Sequence, residues 1–179
     1  MSNWDPTITS QERGQIIRDY ALRHPDVRNF VESGSADGDT CVQVQDLFDH
    51  LYTIEIVPTV QIRTKRRLSI YPHVLSLQGD STHILPGLLD RIGAPCLFWL
   101  DGHYCGSLEK RGEKDTPVAD ELQIIFATNL RHIILVDDAR LFGTDPAYPT
   151  IEWVREIATS QAIEFTFSYQ DDMMRIVPK

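Results

Sequence analysis

Short apolar runs alternate along the chain with segments in which apolar residues recur every three or four positions. Apolar runs of about four to eight residues, bounded by turn residues, are typical of buried strands. The run CLFWL at residues 96–100 is continuous rather than alternating, as expected of a parallel strand that is covered on both faces. The pattern predicts five successive strands, at residues 27–32, 51–57, 73–78, 96–100 and 132–136.

The segments between these runs have the spacing of amphipathic helices. Ser10 with Arg13 three residues later is half of a capping box, and Pro58 suits the first position of a helix. We expect the first helix to pack on the sheet or to lie over the functional site. The predicted helices cover residues 11–23, 39 or 40 to 50, 58–68, 82–92, 117–129 and 151–159.

The end of the chain predicts a β-hairpin, with strands at residues 162–168 and 173–177 around the turn at 170–172. Five alternations of strand and helix, followed by a helix and this hairpin, predict an α/β three-layer sandwich with a mostly parallel sheet. The chain has 179 residues and no linker-like segment, so we expect a single domain over residues 1–179, with residues 1–25 as a helical lead.

The composition narrows the classes of partner and location. A formal net charge of −9 disfavours a nucleic-acid partner, and the basic run at residues 63–67 indicates a solvated helix face. Three cysteines without CxxC spacing disfavour a disulfide framework or a zinc cluster. No apolar run approaches the ~18 residues of a membrane span, and no leader-like segment opens the chain. We therefore expect a cytoplasmic protein with no membrane partner.

Acidic residues follow the two most apolar strands. Asp101 and His103 come after the strand at 96–100, and Asp137 and Asp138 come after the strand at 132–136. Neighbouring strands lie ~4.8 Å apart, so these carboxylates converge where α/β proteins bind ligands. Two like charges 4 Å apart repel by about 4 kcal/mol at an effective dielectric of about 20, so the cluster requires a cation, a proton or an arginine such as Arg140. Oxygen ligands favour Mg²⁺, Mn²⁺ or Ca²⁺.

Three other strand ends carry candidate binding residues. A turn with Gly34 and Gly38 follows the first strand, where free amides can point at a ligand, although glycine there also has a purely steric explanation. Glu55, near the end of the second strand, is placed to accept hydrogen bonds from ribose hydroxyls; the alternative is an edge charge in solvent. Asp80 and Ser81 follow the third strand, and helix capping alone would explain Asp80.

Five segments in order resemble the class I S-adenosylmethionine-dependent methyltransferases: ESGSADGDT, LYTIEI, LQGDS, LFWLDGHYCG and IILVDDARLF. Within that family the chain looks most similar to the macrocin-type O-methyltransferases of small molecules, over about residues 27–142. The resemblance implies a Rossmann-like sheet of seven strands, mostly parallel, in the order 3-2-1-4-5-7-6 with the C-terminal hairpin antiparallel.

The same resemblance implies a binding site for S-adenosylmethionine. The first motif would line the methionine end and the ribose, and Glu55 would hold the ribose hydroxyls. Asp80 and Ser81 would lie beside the adenine. The implied cofactor-binding residues are Glu32, Gly34, Ser35, Gly38, Glu55, Asp80, Ser81 and Asp101.

Macrocin-type enzymes have an Asp-x-Asp pair after the central strand and an Asp-Asp pair after the next one. By this resemblance Asp101, Asp137 and Asp138 match the positions that bind Mg²⁺. His103 stands where the family has the second Asp, the proposed base, so the catalytic residues would be His103 and Asp101. A histidine keeps a proton acceptor there but departs from the metal-assisted pattern.

The resemblance implies O-methylation of a hydroxyl on a small-molecule acceptor such as a sugar or secondary metabolite, with S-adenosylmethionine as cofactor and Mg²⁺ as a second one. A competing hypothesis is an inactive module of the same fold that binds the cofactor or serves in an assembly. A nicotinamide-dependent oxidoreductase ranks last, because the turn lacks the Gly-x-Gly-x-x-Gly spacing.

Overall fold

Seven strands and six α-helices make up the part of the chain that the computed structural model describes, residues 9–102 and 116–179. The strands are β1 (Asn29–Ser33), β2 (His50–Glu55), β3 (Val74–Gln78), β4 (Cys96–Leu100), β5 (Ile133–Val136), β6 (Phe165–Gln170) and β7 (Met173–Pro178). The helices are α1 (Ser10–Arg23), α2 (Asp39–Val44), α3 (Pro58–Leu68), α4 (Ser81–Ile92), α5 (Val118–Ala127) and α6 (Ile151–Thr159).

All seven strands belong to one sheet with the order β3-β2-β1-β4-β5-β7-β6. The first five strands pair in parallel, whereas β7 runs antiparallel to both β5 and β6. This arrangement confirms the predicted α/β class, the mostly parallel seven-stranded sheet and the antiparallel C-terminal hairpin.

Helices cover both faces of the sheet and form two hydrophobic cores. One core lies under α4, α5 and α6, and the other lies under α1, α2 and α3. Every residue of β4 is buried, and its side chains alternate between the two cores: Phe98 lies in the first and Trp99 in the second. A strand with both faces covered has no polar face, which explains its continuous apolar run.

Local signals predicted some helix boundaries and missed others. Pro58 is the first residue of α3, as expected. The capping box of α1 is formed by Thr9 and Glu12, so the half-box assigned to Ser10 and Arg13 was wrong. Thr9 accepts a hydrogen bond from the Glu12 amide, while the Glu12 carboxylate accepts one from the Thr9 amide, which is the reciprocal pattern of this motif.

Helix α2 is shorter than predicted. It ends at Val44 and continues as a short 3-10 turn over Gln45–Leu47, and His50 already belongs to β2. Phe48 is buried in the core beneath α1, so the chain must leave the helical path before that position. Among the described helices, none combines the length and the apolar character needed to cross a membrane.

Candidate active site

The carboxyl ends of the central strands are joined by hydrogen bonds that continue beyond the strands themselves. The amide of Asp101 donates to the carbonyl of Ser33 (3.0 Å), and the amide of Asp137 donates to the carbonyl of Leu100 (3.0 Å). Asp101 is therefore held between the glycine turn after β1 and the acidic pair after β5. In sheets of this kind, ligands bind at this edge, where the strand order reverses.

The glycine turn packs directly against Asp101. Gly34 has φ +87°, and a Cβ atom there would meet the carbonyl oxygen of Asp101 far inside van der Waals contact and its carbonyl carbon at 2.8 Å. Gly38 has φ +77°, and a Cβ there would lie 3.0 Å from a methyl carbon of Thr64. The turn therefore requires glycine for steric and conformational reasons.

The amides of this turn are engaged within the protein. Those of Gly34 and Ser35 donate to the carbonyl of Ile54 (3.0 and 3.2 Å), and that of Gly38 donates to the carbonyl of Ser35 (2.7 Å). The expectation that these amides point free toward a ligand was wrong, because the carbonyl groups of Ile54 and Ser35 already accept their hydrogen bonds.

Glu32 lies beneath the turn in a buried polar network. Its carboxylate accepts hydrogen bonds from the Thr53 hydroxyl (2.6 Å) and the Cys41 thiol (3.4 Å). The Ser35 hydroxyl is hydrogen-bonded to the same Thr53 hydroxyl (2.5 Å). Burial raises the pKa of Glu32 to about 7, against the lowering effect of these hydrogen bonds. Glu32 and Ser35 therefore belong to a buried hydrogen-bond network that holds the turn in place.

Glu55 holds the other side of the same turn. One carboxylate oxygen accepts from the amide of Ala36 (3.1 Å) and the other from the amide of Val57 (2.9 Å). The residue is buried, so the alternative of an edge charge in solvent was wrong. Each carboxylate oxygen has two acceptor sites, so these two bonds leave capacity for hydroxyl groups of a ligand.

The residues after β3 have clear structural roles. Asp80 accepts hydrogen bonds from the amide (2.9 Å) and the hydroxyl (2.7 Å) of Thr82, and so caps α4. Ser81 is buried at the first position of that helix. The amide of Gly79 donates to the carbonyl of Glu55 (2.9 Å), which places the end of β3 next to that of β2.

The acidic pair after β5 is matched by arginines. Arg13 of α1 forms an ion pair with Asp137 (2.9 Å), and Arg140 forms one with Asp138 (2.6 Å) and another with Asp172. Burial and the nearby charge of Asp101 raise the pKa of Asp137, and Arg13 opposes that shift. Of the partners that the sequence left open for the acidic cluster, arginine is the one found for this pair.

The predicted metal set is not assembled. Within residues 9–102 and 116–179, no group of three or more His, Cys, Asp or Glu side chains is arranged to hold a metal ion. Asp138 has φ +56°, and its carboxylate pairs with a different arginine from that of Asp137. The described residues therefore do not fit Mg²⁺ at Asp101, Asp137 and Asp138, because two guanidinium groups already supply positive charge there.

His103, the predicted base, lies outside the described residues. The catalytic role of His103 stays a prediction.

A cleft opens between the ends of β4 and β5, with about 230 Å³ of space that is partly continuous with solvent. It contains a residue that the sequence analysis did not assign, Glu121 of α5. The signal was present, because Glu121 lies three residues after Val118 and four before Ile125 on the buried stripe of that helix. The lining residues are Leu100, Asp101, Gly102, Thr116, Val118, Glu121, Val136, Asp137, Asp138, Phe142 and Tyr148.

Solved structures of three methyltransferases resemble this architecture. O-methyltransferase TomG from Streptomyces achromogenes, involved in tomaymycin synthesis and solved with S-adenosylmethionine, has a TM-score of 0.62 and 21% identity, over 98% of this chain and 83% of its own. This chain has the class I methyltransferase fold. The S-adenosylhomocysteine-bound methyltransferase PaMTH1 from Podospora anserina has a TM-score of 0.63 and 17% identity, over 96% of this chain and 80% of its own.

A third structure with the same fold is the amino pentose methyltransferase CalS10 from Micromonospora echinaspora, solved with S-adenosylmethionine. Its TM-score is 0.64 at 11% identity, over 96% of this chain and 92% of its own. No protein-family model and no curated protein matches the sequence. At these identities the likeness establishes the fold, and the macrocin-type branch stays a prediction.

Proposed function

We propose that the protein is an S-adenosylmethionine-dependent methyltransferase that acts on a hydroxyl of a small molecule. The observation that carries this proposal is a pair of backbone hydrogen bonds, from the Asp101 amide to Ser33 and from the Asp137 amide to Leu100. They place Asp101 between the glycine turn and Asp137. They bring a cofactor-type turn and an acidic cleft to one edge of a sheet with the class I methyltransferase fold. That the three similar structures hold S-adenosylmethionine or S-adenosylhomocysteine supports the choice of cofactor.

The described residues fit this cofactor. Glu55 is buried beside the turn, with its carboxylate oriented by two backbone amides, and retains acceptor sites for the ribose hydroxyls. Asp80 and Ser81 lie at the adjoining strand end, as contact with the adenine requires. The turn residues Glu32, Gly34, Ser35 and Gly38, together with Asp101, would line the rest of the cofactor. An acidic edge also suits the positive charge of a sulfonium.

When bound, the cofactor would supply an electrophilic methyl group on a sulfonium, and its transfer to the acceptor oxygen would break the S–C bond and leave a neutral thioether. The protein therefore has two tasks, which are to align the acceptor and to take up its hydroxyl proton. We assign proton uptake to His103, because an imidazole with a reference pKa of ~6.5 accepts a proton near neutral pH. Asp101, which borders both the turn and the cleft, would orient the reacting groups.

One observation favours the alternative of an inactive module of this fold. The amides of Gly34, Ser35 and Gly38 are all engaged by carbonyl groups of the protein, so the turn binds a cofactor only through side chains and other amides. An inactive module that serves in an assembly would bind S-adenosylhomocysteine weakly or not at all.

The deciding experiment is a thermal melt with and without S-adenosylhomocysteine, with NADH as the control ligand. A ligand at 100 times its dissociation constant adds about 2.7 kcal/mol, which for a chain of this length corresponds to a shift of about 5 to 10 °C. We expect that shift with S-adenosylhomocysteine and none with NADH. The absence of a shift at saturating concentration would favour the inactive module.

A matched pair of variants locates the binding. Glu55→Ala removes the acceptor assigned to the ribose hydroxyls, so calorimetry should give an affinity for S-adenosylhomocysteine lower by at least about tenfold. Glu164→Ala removes an exposed carboxylate that pairs with Lys179 near β6, and should leave the affinity unchanged. Equal affinities of the two variants would remove Glu55 from the site.

A further inference from the structure

Glu121 of α5 has a carboxyl group that is fully buried. Its exposed fraction is 0%, and among the described residues neither oxygen has a hydrogen-bond partner. The hydroxyls of Ser33 and Ser81 lie close enough to favour its ionised form, but neither makes a hydrogen bond to it. An unsatisfied buried carboxyl is costly to the folded protein, so its presence calls for a functional explanation.

The carboxyl borders the cleft at the ends of β4 and β5. The lining of the cleft includes the apolar residues Leu100, Val136 and Phe142. The ring of Phe142 packs edge-on against that of Tyr148, with 5.1 Å between the ring centroids. The space among these residues, about 230 Å³, is partly continuous with solvent, which leaves an opening for a small molecule with an apolar face.

The acidic lining of the cleft indicates the charge of the small molecule that it can bind. Among the described residues, its lining includes four carboxyl residues, Asp101, Glu121, Asp137 and Asp138, and no Lys, Arg or His. Asp137 and Asp138 are compensated from outside the lining by Arg13 and Arg140. An anionic acceptor such as a carboxylate or a phosphate would therefore be repelled.

We propose that Glu121 binds a protonated amine of the methyl acceptor, so that the substrates are small hydroxylated molecules that carry an amino group. This inference rests on the proposed function and specifies its substrate class. An ammonium group offers three hydrogen-bond donors and a full positive charge, which supply what both oxygens of Glu121 lack. A neutral hydroxyl at the same place donates a single, weaker bond.

Three probes with the same ring and different charge test the inference: glucosamine, glucose and glucuronate. Their binding to the protein is measured by ligand-observed NMR and calorimetry at neutral pH, with and without S-adenosylhomocysteine. We expect glucosamine to bind at least about tenfold more tightly than glucose, and glucuronate not to bind. In Glu121→Gln the preference for glucosamine over glucose should vanish, while Glu164→Gln should keep it.

The outcomes separate this inference from the proposed function. Equal binding of the three probes, no binding of any of them, or an unchanged preference in Glu121→Gln would overturn the role of Glu121. If S-adenosylhomocysteine binds in that case, the methyltransferase proposal stands with another class of acceptor. If S-adenosylhomocysteine does not bind, the proposed function fails. The ranking of probes by the unaltered protein remains a test even if Glu121→Gln does not fold.

Discussion

At the scale of single residues, the site combines one position that admits only glycine with several buried acids. Gly34 is confined by its positive φ and by the backbone of Asp101. Glu32 and Glu121 are buried carboxyls on opposite faces of the sheet, in the cores under α1–α3 and α4–α6 respectively. Buried acids of this kind lower the stability of the fold and are often retained for function.

Gly34→Ala should destabilise the protein by more than about 2 kcal/mol, because the new methyl group overlaps the carbonyl of Asp101 and the residue must keep a left-handed conformation. Gly87→Ala is the matched control. Gly87 lies inside α4 with nothing within 4 Å of an added Cβ, so alanine should stabilise the helix by about 0.5–1 kcal/mol. Urea unfolding measures both. Equal stability of Gly34→Ala and the parent chain would show that the turn and Asp101 are not in contact.

Glu121 should make the stability of the protein depend on pH. Burial raises its pKa from 4.5 to about 7, so between these values the unfolded chain has lost a proton that the folded chain retains. The free energy of unfolding therefore falls as the pH rises from about 4.5 to 7, by roughly 3 kcal/mol from this group, and stays lower above pH 7.

Glu121→Gln removes this contribution, so its unfolding free energy, measured in urea at pH 5 and pH 8, should fall less than that of the parent chain. A slope of the same sign should persist in the variant, because burial also raises the pKa of Glu32 to about 7. An identical pH dependence of parent and variant would mean that Glu121 is already ionised at pH 5 in the folded protein.

At the scale of elements, α1 contributes to both packing and charge. Ile17 and Ala21 place the helix on the core under α1, α2 and α3, and Arg13 reaches from it to Asp137 at the sheet edge. The expectation that this helix packs on the sheet is therefore confirmed, and Arg13 extends from it to the end of β5. The guanidinium of Arg13 supplies positive charge beside Asp137, where the sequence suggested a metal ion.

Added Mg²⁺ or EDTA should change neither the melting temperature nor the affinity for S-adenosylhomocysteine, since Arg13 and Arg140 already compensate the acidic pair. A clear rise of either quantity with Mg²⁺ would restore the metal hypothesis.

Arg13→Ala tests the contribution of the ion pair with Asp137 to stability. It should destabilise the protein by about 1–2 kcal/mol, a value reduced for the partial exposure of the arginine. Among the described residues, Arg23 on the same helix contacts the ring of Tyr20 and donates a hydrogen bond to a backbone carbonyl, so Arg23→Ala should destabilise the protein less.

At the scale of the whole molecule, the strand order determines which distant segments meet. Because β4 lies between β1 and β5, the turn after β1 and the acids after β5 both adjoin Asp101. The net charge of −9 and the acidic lining of the cleft have the same sign, which supports the expectation that nucleic acid is not a partner and the proposal that the acceptor is a cation.

Much of this architecture could be predicted, because its signals are local. The bounds of α3 and α6 and the burial of β4 follow from Pro58, from helical spacing and from the continuous apolar run. The same local signals predicted that Gly34, Glu55 and Asp101 lie at one edge of the sheet. The ion pair of Arg13 with Asp137 could not be predicted, because it joins residues more than a hundred positions apart in sequence.

The sequence by itself determined the order of the elements, the parallel sheet and the strand ends at which chemistry is placed, since apolar periodicity and turn residues act over a few positions. Only the tertiary structure decided how the charges are satisfied. It paired the acids after β5 with Arg13 and Arg140, and it buried Glu121 with no hydrogen-bond partner among the described residues. Such outcomes depend on distances and on access to water, and these exist only once the helices have packed on the sheet.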